Sequence, residues 1–133
     1  MTRSLKKASV AALALAILLA ALPAGAGMWE KVGGAGDQYA VAGNTLYGLF
    51  PDRQGVAKYD AASGQWSVIG GAMNELVGGG DRLYGISPVG GDICEYTGTK
   101  WTVIGGAGAQ FTAYGPSLYR LSADKKEIYR YAE

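Results

Sequence analysis

Any chemistry in this chain has to be done without histidine, since none of its 133 residues is one. That removes Ser-His-Asp and Cys-His nucleophile systems, histidine-bound zinc and the usual proton shuttles. Cys94 is the single cysteine. Without a histidine base it is a weak nucleophile, and alone it closes no internal disulfide, so it is read as a small buried hydrophobe or half of a bridge between chains. Glycoside hydrolysis needs only two carboxylates, yet none of the eleven acidic residues stands in a repeated apolar setting that would raise its pKa. The segment "DAASGQW" at 60–66 falls one residue short of an Asp-box turn, and "DRQG" and "GGD" lack the dense Asp/Asn pattern of a calcium loop. The "GGAG" at 33–36 and 105–108 precedes strand-type sequence, whereas a phosphate loop needs a helix. These residues point away from an enzyme, with no catalytic group, metal or cofactor expected.

What remains is polar side chains on turns, the usual place for ligand recognition. Strands that run alternately up and down bring two sets of turns to one side. One set carries Asp37, Gln38, Asn74, Glu75 and Gln110; the other carries Asp52, Arg53, Asp92, Asp124 and Lys125. Flanked by aromatics, such a rim suits an array of sugar hydroxyls. The plainer use of the same residues is simply to make turns, where polar side chains are common.

The elements that would position this rim are written three times. "WEKVGGA" at 29–35, "WSVIGGA" at 66–72 and "WTVIGGA" at 101–107 start copies spaced 37 and 35 residues apart. The columns continue: Tyr39, Leu76 and Phe111; Gly43, Gly80 and Gly115; "TLYGL", "RLYGI" and "SLYRL"; "VAKY", "ICEY" and "IYRY". A fixed period of this size marks a repeat architecture. Each copy divides into four segments of about five β-branched or aromatic residues bounded by turn formers. The expectation is an all-β protein of three four-stranded antiparallel sheets of the β-propeller blade type, with repeats at 29–65, 66–100 and 101–133. The Tyr47/Tyr84/Tyr119 and Tyr59/Tyr96/Tyr131 columns and the three tryptophans are expected to pack between stacked sheets; a sugar-stacking platform is their other use. The glycine pair after each Trp strand is expected to turn the chain sharply.

The alternation of W-x-x-[VI]-G-G, a central L-Y-G and a closing aromatic resembles the tectonin and tachylectin group of lectin-like propellers, across 29–131. "YDAASGQW" at 59–66 also resembles a kelch unit, more weakly, because kelch places its glycine pair before that segment. The first resemblance implies carbohydrate or lipopolysaccharide binding. The alternative reading is a structural or protein-interaction module that binds no sugar.

Residues 1–26 hold a basic start, an apolar run from Ala8 to Leu22, then Pro23 and small residues at Ala24 and Ala26. That order is a secretory signal peptide cut after Ala26, and the run is shorter than the ~20 residues of a membrane span. The expected product is secreted or periplasmic and free of the membrane. Removing Arg3, Lys6 and Lys7 leaves nine basic against eleven acidic residues, a net charge of −2, which disfavours nucleic acid as a partner. Three blades are too few to close a ring. The Trp29–Gly33 segment reads as a fourth strand without its three predecessors, and the last copy as three strands without a fourth. Two chains exchanging that strand would form a homodimer of six blades.

Overall fold

The computed structural model describes residues 27–132, so the expected signal peptide at 1–26 lies outside the described residues. Val32 onward belongs to one compact unit. Gly27 to Lys31 fall in the other unit, have no helix or strand, and leave Met28 and Trp29 exposed.

Eleven short strands follow, with no helix among the described residues: β1 (Gln38–Ala42), β2 (Thr45–Leu49), β3 (Val56–Asp60), β4 (Gln65–Val68), β5 (Glu75–Val77), β6 (Tyr84–Ile86), β7 (Ile93–Tyr96), β8 (Trp101–Gly105), β9 (Gln110–Tyr114), β10 (Ser117–Leu121) and β11 (Ile128–Arg130). They form three antiparallel meanders of four, four and three strands, β1-β2-β3-β4, β5-β6-β7-β8 and β9-β10-β11, none of them closed. Each four-stranded sheet takes three strands from one sequence repeat and its Trp strand from the next. The third sheet stops at β11. The expectation of a strand at Trp29–Gly33 is corrected: these residues form no strand, and Trp29 is fully exposed rather than packed.

Turn geometry repeats with the sequence. The Phe50, Ser87 and Ser122 amides donate to the carbonyls of Gly55, Asp92 and Glu127, closing the same turn in each sheet. Within it Arg53, Gly90 and Lys125 occupy equivalent places, all left-handed, with φ of 61°, 69° and 63°. Of the glycine pairs after the Trp strands, only Gly70 and Gly71 have positive φ, the left-handed backbone that glycine adopts freely.

Strand register sets the faces. In the first sheet Tyr39, Gly48 and Ala57 lie side by side across β1, β2 and β3, and Tyr59 pairs with Trp66. Side chains two apart share a face, so these residues form one face, here the Trp face. Ala42, Leu49 and Val56 form the back face, which packs on the Trp face of the second sheet through Leu76, Leu83 and Cys94. The back face of the second sheet, with Val77, Tyr84 and Ile93, packs in turn on Phe111, Ala113 and Leu118 of the third. The core is thus two apolar layers between three sheets.

The first strands β1, β5 and β9 lie next to one another. Backbone bonds join them: Gly79 N–H to the Val41 carbonyl, Gly43 N–H to Gly80, and Asp81 N–H to Gly115. This explains the glycine run at 78–80. A Cβ on Gly78 would lie 2.6 Å from the Val41 carbonyl oxygen, and one on Gly80 would lie 2.8 Å from that of Gly115. The middle strand has backbone on both sides and no room for side chains there.

Candidate functional site

In each sheet the two sets of turns lie side by side. The amides of Asp37, Asn74 and Ala109 donate to the carbonyls of Leu49, Ile86 and Leu121, so the entry to each first strand sits beside the turn after each L-Y-G strand. In the first sheet this brings Asp37 and Arg53 into an ion pair at 3.0 Å. The other candidates have local work. Asp52 accepts from the Gln54 amide, and Asp124 from the Ser122 hydroxyl and the Lys126 amide. Those two bonds, the hydroxyl first, hold the Asp124 carboxyl below its ordinary pKa of 3.8. Asp92 is half-buried, while Asn74, Glu75, Gln110 and Lys125 are exposed.

Gln38 sits differently. Its side-chain nitrogen donates to the Leu76 carbonyl and its oxygen accepts from the Leu76 amide, both at 2.7 Å. The side chain imitates a strand and clips the first sheet to the second.

Behind the rim lies a cavity of about 270 Å³ on the Trp face of the first sheet, lined by Tyr39, Phe50, Trp66, Gly48, Ala57 and the glycine-rich segment 34–36. Several bonds fix its aromatics. The Trp66 indole N–H donates to the Val32 carbonyl at 2.8 Å, and the Tyr39 hydroxyl donates to the Gly34 carbonyl at 2.7 Å. Trp66 also stands 6.1 Å from the Tyr39 ring and 5.0 Å from that of Tyr59. The lining holds no carboxylate, amine or thiol; its titratable side chain is the Tyr39 phenol, and its aromatic walls can stack on and enclose a ligand.

A second cavity of about 270 Å³ occupies the equivalent place on the third sheet, lined by Phe111, Arg120 and Tyr129 with Ile93 and Ile104 of the second. Here Arg120 lies over the Tyr129 ring at 5.2 Å, and the Tyr129 hydroxyl is held by Glu127, which raises its pKa. Met73 accounts for the second sheet. It stands in the column of Gly36 and Gly108 and is buried, with its sulfur 2.8 Å from where a Gly85 Cβ would be. The Met73 side chain lies where the first sheet has its cavity; on the third sheet the Arg120 side chain lies against Gly108, 2.6 Å from where a Gly108 Cβ would be. The column Gly36, Met73, Gly108 was readable in the sequence, but nothing there said that the methionine fills a space that Gly36 leaves open.

Two further groups bear on chemistry. Cys94 is a buried free thiol whose pKa is pushed up, by burial first and the Asp92 carboxylate second, which makes it a poor nucleophile. Glu95 is buried and pairs with Arg82 at 2.6 Å. The cavity beside this pair is lined by Arg82, Glu95, Tyr96 and Thr97 and has no second carboxylate for glycoside hydrolysis. No group of three or more acidic or cysteine side chains suited to a metal ion exists among the described residues. Compared with known proteins, the chain matches no family model and no curated protein.

Proposed function

We propose that the chain is an exported, non-enzymatic glycan-binding module whose sheets are blades of a tectonin-like propeller. The supporting observation is the aromatic cavity of about 270 Å³, with Tyr39, Trp66 and Phe50 in its lining and the Asp37–Arg53 pair at the margin. Gly36 lines it and precedes Asp37; Phe50 lines it and opens the turn that carries Arg53. Apolar ring faces beside fixed polar groups are what a sugar ring presents a need for: stacking on its C–H face and hydrogen bonds to its hydroxyls. The volume suits a single ring rather than an extended chain.

The test copies the second sheet into the first. Gly36→Met with Tyr39→Leu places the Met73 and Leu76 side chains where the cavity is. The tyrosine must change too, because a Cβ on Gly36 would lie 2.7 Å from its hydroxyl. On a glycan array followed by titration, the native protein should bind a defined sugar. The double variant should lose that binding by at least about tenfold, the loss of one aromatic contact or more, while its melting temperature holds. Native protein that retains no glycan would overturn this reading. The second reading, an interaction module without sugar, is favoured by the exposed apolar faces at the two ends of the stack.

A further inference from the structure

The two ends of the stack differ from its interior in exposure, not in residue type. Val56, Ile93 and Ile128 share one back-face column. The first is 0% exposed and the second 3%, because each is covered by the Trp face of the next sheet. Ile128 is 74% exposed. Tyr119 and Leu121 continue this face in the columns of Tyr47 and Leu49, and Tyr114 stands exposed on β9. The Trp faces mirror this. Leu76 and Phe111 are 2% and 9% exposed beneath the preceding sheet, whereas Tyr39 in the same column is 46% exposed and Val41 beside it is exposed as well.

We infer that the back face of the third sheet docks on the Trp face of the first sheet in a second copy of this chain, and that two copies close head to tail. The back faces of the first and second sheets already make this contact, column for column, with the Trp face that follows each. Among the described residues one back face and one Trp face are left without a sheet, and they belong to opposite ends of the same chain. A surface complementary to a different patch on its own kind makes a heterologous contact, which either closes into a ring or continues indefinitely. Closure removes both apolar faces from water.

A polar detail supports the same partner independently. Gln110 occupies the column of Gln38 and is the same residue, but exposed. Gln38 clips its sheet to the amide and carbonyl of Leu76. In the docked pair Gln110 meets the amide and carbonyl of Tyr39 from the second copy, since Tyr39 is the counterpart of Leu76. The contact also gives the aromatic cavity a second wall. On the third sheet the equivalent cavity is walled by Ile93 of the sheet before it. On the first sheet that place falls to Ile128 of the second copy. This last consequence alone rests on the glycan reading.

The experiment is sedimentation of the protein expressed from the 133-residue sequence and purified, across micromolar concentrations and without sugar. The native protein should run as a dimer. Tyr114→Asp and Ile128→Asp each place a charge in the contact and should weaken the dimer by at least about tenfold. Both sites are exposed in the single chain, so near-ultraviolet circular dichroism should report an intact fold. Val89→Asp is the control: Val89 is an exposed turn residue in the column of Asp52 and Asp124 and should leave the dimer unchanged. A compact monomer at high micromolar concentration overturns the proposal, as does a dimer indifferent to both substitutions or a larger closed or open-ended assembly. Because no sugar is present, none of these outcomes depends on whether glycan is bound.

Discussion

Gln38 shows how a residue's surroundings choose its work. As sequence it is a polar side chain at the head of a strand, and a rim donor for a ligand. In the fold both ends of its amide are taken by the Leu76 backbone. Two part-buried bonds at about 1 kcal/mol each suggest that Gln38→Ala costs about 1–3 kcal/mol, including the cost of stranding the Leu76 amide and carbonyl. Gln38→Glu keeps the acceptor but sets a carboxylate oxygen against the Leu76 carbonyl, so it should cost at least as much as Gln38→Ala. Denaturant unfolding checks the order. Trp66 is the opposite case: expected to pack, it does so through its indole bond to Val32, yet it still lines the cavity.

At the scale of the element, the turn after each L-Y-G strand was legible as a turn but not as a strained one. Arg53 and Lys125 hold left-handed backbone where the second sheet has Gly90. A non-glycine residue there carries a steric cost of roughly 1–2 kcal/mol. Lys125 is exposed, and its turn is closed by Ser122 and Asp124 rather than by its own side chain. Lys125→Gly should therefore raise stability, by about 0.5–1 kcal/mol once the added freedom of the unfolded chain is counted. Thermal unfolding tests this, and an unchanged or lower melting temperature would refute it. Arg53→Gly is the less clean experiment, because it also removes the ion pair with Asp37.

For the whole molecule, one column gives a comparison with a built-in control. Ile93 lies between two sheets, whereas Ile128 in the same column faces outward from the last. Ile93→Ala should cost about 2–5 kcal/mol at any protein concentration, as buried isoleucines do. Ile128→Ala should cost little in dilute solution. Its cost should grow as concentration rises, because association stabilises the folded state by mass action. Melting curves recorded over a hundredfold range of concentration separate the two. A cost for Ile128→Ala that does not vary with concentration would count against docking at that face. The sequence period of 37 and 35 residues, the short aromatic strands and the recurring turn signals determined the all-β class and nearly every strand, because strand propensity and turn chemistry are local. Tertiary structure decided the rest. It left Trp29 outside any strand, buried Glu95 against Arg82, and turned Gln38 into a clip. It also filled with Met73 the space that the first sheet leaves open beside Gly36. Those outcomes depend on which sheet lies against which face, and that is a relation between segments dozens of residues apart that no local pattern of residue types carries.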